Sequence, residues 1–392
     1  MAATRARKSA TAEPPTANGT GMAEPLKNHF GPDVPPAIAR MVQAVHPAFP
    51  AAVFVRDCLR GYEALELMPR GRHIAKALRR HLPQSVPQAL DTLVAAMEQP
   101  LQREAAGGMG SFIFMPYGFF VAEHGLDHFE ASMRMQHALT QRFTAEFSIR
   151  PFLMHHPQAT LARLHQWASD PSDHVRRLVS EGTRPRLPWA PRLPAFQADP
   201  APVLELLERL KDDPALYVRR SVANNLNDIG KDHPEVLAAT TRRWLQDAPP
   251  QRSWLVRHAL RWAVKQGAPW ALDVLGFGHV SAVTLQHPSI VPARPRVGAT
   301  VTVGFDLYNP TPQPQDVLVD LQVHYVKANG AASAKVFKLK VLQLKAGSTV
   351  HLHKKLSLAE MTTRKHHPGV HRVEALLNGT ASPLGSFHLH AG

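Results

Sequence analysis

The sequence predicts a mainly α protein, a solenoid of HEAT-like antiparallel helix pairs followed by a small all-β sandwich of immunoglobulin-like type. Three observations predict it. Apolar residues recur three and four apart from about Pro25 to Gly278, a two-helix unit repeats within that span, and beyond Gly278 the pattern changes to strict alternation. The N-terminal stretch MAATRARKSATAEPPTANGTG has basic residues but no apolar run, so residues 1–22 read as a disordered tail and not as a signal peptide.

The helical part, residues 23–278, is carried by segments such as MVQAVHPAF, HIAKALRRHL and ALDTLVAAME, whose spacing puts apolar side chains on one helix face. Asp170-Pro171-Ser172-Asp173-His174-Val175-Arg176-Arg177-Leu178-Val179 matches Asp213-Pro214-Ala215-Leu216-Tyr217-Val218-Arg219-Arg220-Ser221-Val222 at a constant offset of 43. Leu161, Leu164 and Trp167 fall on Leu204, Leu207 and Leu210 at the same offset, and Val256-Arg257-His258 echoes the core 38 residues after Val218. A period of about 40 with two helices per unit is that of HEAT repeats, which stack into a curved solenoid with a concave binding face. Trp244, Trp254, Trp262 and Trp270 fall in the last helical units and read most simply as packing residues.

Residues 281–392 are expected to form the sandwich. Thr300 to Leu307, Val317 to Val326, Val336 to Leu344 and Val350 to Leu358 alternate apolar and polar and are separated by Pro, Gly, Asn and Ser clusters. From Ser281 onward there are 12 Lys plus Arg against 5 Asp plus Glu, so this module carries 12 − 5 = +7, half of the formal charge of +14. An excess of that size suits a polyanion. The single cysteine, Cys58, excludes an internal disulfide framework and any multi-thiolate metal site, and fits a reducing cytoplasm. No apolar stretch approaches the roughly 20 residues that cross a bilayer. Gly107-Gly108-Met109-Gly110-Ser111 lacks the lysine of a phosphate loop, and His155-His156 and His366-His367 are adjacent pairs that do not share a helix face as ligands, so neither cofactor nor metal is expected.

Candidate site residues come from placements that run against local preference. With Val175, Leu178 and Val179 inward, Arg177 and Glu181 share one exposed stripe, and Arg220, Asn224 and Asp228 form the equivalent stripe of the next unit. A solvated ion pair is the ordinary account of such a stripe. Arg preceding Glu is the less favourable order, however, and Asp228 stands just before Gly230, near a helix C-terminus whose dipole disfavours a carboxylate. Glu146 borders the apolar stripe of a helix expected to end at Arg150-Pro151, where Arg142 or Arg150 could pair with it. Trp189, in Leu187-Pro188-Trp189-Ala190-Pro191, cannot sit in a regular helix, and is either a core anchor of its loop or an aromatic surface for a cationic ligand.

The segments EFSIRPF, SDPSDHVRRLVSEGTRPRLPWAPRLP and YVRRSVANNLNDIGKDHP resemble the AlkC branch of the AlkC/AlkD superfamily of HEAT-like-repeat DNA glycosylases, over about Ala23 to Gly278. Some members of that branch end in an immunoglobulin-like domain, as the strands after residue 281 suggest. The resemblance implies hydrolysis of the N-glycosidic bond of cationic alkylated bases, 3-methyladenine and 3-methylcytosine among them, in duplex DNA without base flipping. It implies Glu146, Glu181 and Asp228 as catalytic carboxylates, with Arg177 and Trp189 against the substrate. Arg150, Arg220, and the Arg364-Lys365 pair beside a Pro-Gly turn are further candidates for DNA contact. The chain is then expected to act as a monomer in the cytoplasm, on nucleoid DNA. A non-catalytic HEAT-repeat scaffold for nucleic acid or protein fits composition and repeats equally well; what separates the two is the carboxylate cluster, which would repel phosphates unless it does chemistry.

Overall fold

Thirty-five prolines in a helical chain call for an explanation, and helix starts supply it. In the computed structural model, which describes residues 26–99, 110–278, 282–360 and 365–391, ten of the sixteen helices carry Pro in their first two positions, where the missing N–H has no intrahelical acceptor to lose. The expected tail over 1–22, the glycines at 107 and 108, and Arg364 lie outside the described residues. The chain divides into two compact units, Met1–Thr144 and Ala145–Gly392.

The first unit contains α1 (Val34–Val45), α2 (Ala51–Leu59), α3 (Leu67–His81), α4 (Val86–Met97), α5 (Met115–His124) and α6 (Phe129–Arg142). Its core is apolar, with Ile74, Leu90, Tyr117, Phe120 and Leu139 fully buried. Arg70 is the polar tie: its guanidinium donates to the carbonyls of Lys27, Phe30, Glu63 and Leu65.

The second unit continues with α7 (Arg150–His155), α8 (Pro157–Trp167), α9 (Asp173–Gly182), α10 (Pro194–Ala198), α11 (Ala201–Leu210), α12 (Leu216–Ile229), α13 (Pro234–Leu245), α14 (Pro250–Ala259), α15 (Arg261–Lys265) and α16 (Pro269–Val274). Helix α8 pairs with α9, α11 with α12 and α13 with α14, while α9, α12 and α14 stack on one another as a layer. The repeated Asp-Pro and Val-Arg-Arg motifs are the joints of this stack. Asp170 and Asp213 each accept a hydrogen bond from the backbone N–H two residues on, at 2.8 and 2.9 Å, turning the chain into α9 and α12. The first arginine of each motif then holds that turn. Arg176 donates to the carbonyls of Asp170 and Pro171, and Arg219 to those of Asp213 and Pro214. Arg176 also forks onto the Asp213 carboxylate at 2.6 and 3.1 Å, joining one repeat to the next. The second arginine of each motif is left for the face that α9 and α12 present.

Helix gives way to strand between Val274 and Thr284. Seven antiparallel strands follow: β1 (Thr284–Val291), β2 (Thr300–Tyr308), β3 (Gln315–Val326), β4 (Ala332–Leu344), β5 (Thr349–Ser357), β6 (Gly369–Leu377) and β7 (Thr380–Leu389). They form two sheets, ordered β1-β2-β5 and β4-β3-β6-β7. Val301, Val303, Phe305 and Leu307 of β2 alternate inward against Val317, Val319, Leu321 and Val323 of β3. Asn378 and Gly379 turn β6 into β7 with φ of 48° and 81°, the left-handed pair a two-residue hairpin requires. Gly379 serves twice, because a Cβ there would collide with Leu272 of α16, against which the turn is lodged.

Two expectations about helices are corrected. Arg150-Pro151 begins α7 rather than ending the preceding helix, because Pro at the second position is a helix starter, and Glu146 lies in the turn before it. Trp244 is buried as expected, but Trp254 and Trp262 are 37% and 40% exposed. Among the described residues no helix is long and apolar enough to cross a membrane.

Candidate active site

Helices α9 and α12 bring together the residues singled out from the repeat. Arg177 of α9 donates to both oxygens of Glu146, at 2.8 and 3.4 Å, and lies 3.7 Å from Glu181 one turn on. Its guanidinium also stands 5.2 Å over the ring of Tyr217 of α12. Glu181 accepts the Ser221 hydroxyl at 2.5 Å on its other oxygen. Asp228, at the end of α12, accepts Lys231 Nζ at 3.0 Å.

Arg184, which sequence reasoning missed, joins the two halves. Its Nη1 donates to Glu181 Oε1 at 2.7 Å, while Nε and Nη2 reach Asp228 Oδ2, both at 2.8 Å. A planar guanidinium holds the two carboxylates in fixed directions, which the rotating ammonium of a lysine does not. The one hint in the sequence was its place three residues after Glu181, and that spacing stops being helical at Thr183. Glu146, Glu181 and Asp228 thus meet Arg177, Arg184 and Lys231, three charges against three.

This arrangement corrects the expectation of an exposed stripe. Glu146, Glu181 and Asp228 are 8%, 7% and 1% exposed: Arg177 meets Glu146, and the loop after α9 supplies Arg184 to Glu181 and Asp228. Arg220 does remain exposed, and Asn224 accepts a hydrogen bond from Arg261 at 2.9 Å. Burial pushes the Glu146 carboxyl above its ordinary range, and the charge of Arg177 offsets part of that rise. Burial works against the charge of Arg177 as well, but Glu146 and Glu181 outweigh it and hold the guanidinium above its usual value.

Arg150 is also corrected. It is 1% exposed, and its donors go to the carbonyls of Gly182, Arg184 and Pro191. These bonds commit its guanidinium to backbone carbonyls and not to a DNA phosphate. Burial, aided by the nearby charge of Arg184, lowers its pKa to about 10. Its role is to clamp both ends of the loop from 182 to 191. That loop carries Trp189, which is 80% exposed with φ of 64°, a left-handed conformation rare for an aromatic residue. The core-anchor alternative for Trp189 is overturned, since the loop holds the indole out to solvent at a cost in backbone strain. Lys365 is exposed in the segment before β6. Among the described residues no group of three or more His, Cys, Asp and Glu side chains could hold a metal ion.

A HEAT-like helical repeat with a carboxylate and guanidinium network on its stacked second helices, followed by an immunoglobulin-like sandwich, defines the class of protein. The sandwich, over residues 284–391, matches the family model described as the C-terminal Ig-like domain of the uncharacterised protein YhaZ. The chain is 34% identical to YhaZ of Bacillus subtilis (strain 168) over 359 residues, covering 90% of this chain and 96% of that protein. It is 40% identical to the Pseudomonas fluorescens alkylpurine DNA glycosylase AlkC, solved bound to DNA containing an abasic site analog. That match covers 94% of this chain and 100% of the other, with a TM-score of 0.87. The chain belongs to the AlkC family, in the form that ends in an immunoglobulin-like domain.

Proposed function

We propose that this chain is a monofunctional DNA glycosylase that hydrolyses the N-glycosidic bond of cationic alkylated bases, of the 3-methyladenine and 3-methylcytosine class, in duplex DNA. The observation that carries the reading is the network of Glu146, Glu181 and Asp228, held together by Arg177 and Arg184, with Trp189 facing outward on the loop that supplies Arg184. A base methylated on a ring nitrogen already carries positive charge, so it leaves without a strong general acid. The bond from C1′ to the base nitrogen breaks, its electron pair neutralises the base, and the positive charge passes to an oxocarbenium-like sugar. Buried carboxylates stabilise that charge, and one of them takes the proton of the water that adds to C1′. Trp189 offers its face to the cationic base or its sugar. Lys231, the lysine of the network, is ion-paired to Asp228 at 3.0 Å and is assigned no Schiff base, so the product of this reading is an abasic site in an uncut strand.

A base that keeps its place in the helix while its sugar is approached from the carboxylates requires no pocket for a flipped nucleotide, and the reading includes this non-flipping course. Arg220, Arg364 and Lys365 are assigned to the phosphates, and the protein to work on nucleoid DNA in the cytoplasm as a monomer in base excision repair. The test is release of free bases from methylated duplex DNA by the purified protein, compared with Asp228→Asn. The variant should bind DNA and lose base release by a factor of order 10² or more. DNA binding by the wild type without any release of base would favour the scaffold alternative.

A further inference from the structure

Helices α14 and α15 bury Leu255, Val256, Ala259, Leu260 and Ala263, each 2% exposed or less. That spacing leaves Trp254, Arg257, His258, Arg261 and Trp262 on the opposite side, at i, i+3, i+4, i+7 and i+8. The outward side of a surface helix is ordinarily polar. Here it carries two indoles at 37% and 40% exposure, and the Trp254 ring lies parallel to His258, with centroids 5.1 Å apart and planes within 7°. No carboxylate interrupts the five residues.

The stripe is continuous with the candidate site. Val175, Val218 and Val256 set the register of the three units, so His258 occupies the repeat position of Arg177 and Arg220, and Trp262 that of Glu181 and Asn224. Arg261 donates to Asn224 at 2.9 Å and the backbone N–H of Trp262 to Asn227 Oδ1 at 3.3 Å, which fastens this side onto α12. Burial lowers the pKa of Arg261, with the charge of Asp228 opposing that shift and the charge of Arg184 adding to it. Burial, then the charges of Arg261 and Arg220, bring His258 down to about 4, so at neutral pH it is an uncharged aromatic ring.

We infer that Trp254, His258 and Trp262 form a stacking platform for a DNA strand, one repeat beyond the candidate site, with the exposed Arg220 and Arg257 taking its phosphates. Flat aromatic faces bordered by cations fit unstacked bases or bare deoxyriboses joined by phosphates, as found beside a lesion or an abasic position. An acidic protein surface would match the arginines but leave the rings without a partner. The inference rests on the chain's reading as a protein that acts on DNA, and extends it to the contact that holds the strand.

The experiment measures affinity for a single-stranded oligonucleotide and for a duplex with a tetrahydrofuran abasic analogue, over a range of salt. Trp254→Ala with Trp262→Ala should weaken both at least tenfold and leave the slope of log affinity against log salt unchanged, because no phosphate contact is lost. Replacing both by Phe should restore most of the affinity. DNA should quench wild-type tryptophan fluorescence, and that quenching should fall in Trp254→Phe and in Trp262→Phe, a readout that holds if the alanine variant fails to fold. Unchanged affinity in a folded alanine variant, unchanged quenching in the Phe variants, or equal quenching by polyglutamate would overturn the inference. Base release by the wild type is scored separately: loss of that activity alone sinks the glycosylase reading and leaves the platform standing.

Discussion

Arg184→Met is the sharpest test of the network, because one side chain is shared by two carboxylates. Arg184 is buried between Glu181 and Asp228, and its replacement removes one bond to the first and two to the second. Breaking a buried ion pair costs about 3–5 kcal/mol, since the carboxylate left behind has lost both water and its partner. Partners that survive set where in that range the cost falls. Glu181 keeps the Ser221 hydroxyl and Arg177 at 3.7 Å, and Asp228 keeps Lys231 at 3.0 Å, so the lower end, about 3 kcal/mol, is expected. Urea unfolding at neutral pH measures it as a fall in midpoint without a change in slope. Arg184→Met combined with Asp228→Asn should cost less than the sum of the two single changes, because the second removes a charge the first had stranded. A loss below about 1 kcal/mol, or strict additivity in that cycle, would refute the argument that Arg184 is the buried partner of both carboxylates.

Trp189→Ala should slow base excision about tenfold or more while leaving thermal stability nearly unchanged, because the ring is 80% exposed and its φ of 64° is strained. A large drop in melting temperature would return Trp189 to a packing role. Arg150→Met should cost about 3 kcal/mol by stranding three loop carbonyls, with excision falling alongside but the salt slope of DNA binding intact; a changed slope would restore a phosphate contact. Asp320 of β3, 4% exposed beside Lys265 and Lys338 on a cavity of about 340 Å³, has its carboxyl raised by burial. A raised folded value means stability held below the unfolded pKa of 3.8 and lost as pH climbs through the folded one, so Asp320→Asn should gain over wild type between pH 4 and neutrality in urea unfolding. A gain that shrinks with rising pH would contradict this sign. Neutralising Arg364 and Lys365 together should flatten the salt dependence of DNA affinity by about two units if both meet phosphates; an unchanged slope removes that segment from the interface.

The repeat was legible because each of its letters has a local job. Asp turns the chain, Pro starts the helix, Val packs, and the first Arg holds the turn, all within a dozen residues. Glu146, Arg177, Glu181 and Asp228 could be picked out by their awkward placement, and the structure gathers them. Their surroundings were not legible. Whether a helical stripe is open or covered depends on the loop from 182 to 191, which is held by Arg150, 32 residues before Gly182, and by the Arg184 pairing with Asp228, 44 residues on, and neither pairing leaves a periodic signal in the sequence. The same limit hid β1, β6 and β7: β1 carries a bulge and is exposed along most of its length, so its alternation is blurred. The Asn378-Gly379 pair was a usable hairpin signal for β6 and β7 that the alternation of neighbouring segments overshadowed.

A glycosylase for cationic bases faces opposing electrostatic demands, since binding the phosphate backbone asks for positive charge and stabilising an oxocarbenium asks for negative charge at one point within it. The sequence put the conflict as three acids in a polyanion-binding face. In the fold the acids are compensated: Arg177, Arg184 and Lys231 match Glu146, Glu181 and Asp228, so the cluster adds no net repulsion at the distance of a phosphate, and repulsion does not by itself separate an enzyme from a scaffold. At contact distance the balance differs, because the carboxylates are fixed by a rigid guanidinium fork and cannot turn away from a charge that develops beside them. Screening salt acts on the exposed arginines assigned above to phosphates and hardly on a pair as buried as Arg184 and Asp228. Added salt should therefore weaken DNA binding steeply and leave the excision rate of the bound complex nearly constant in single-turnover measurements, and a rate that falls in parallel with affinity would mean that the carboxylates are not shielded in this way.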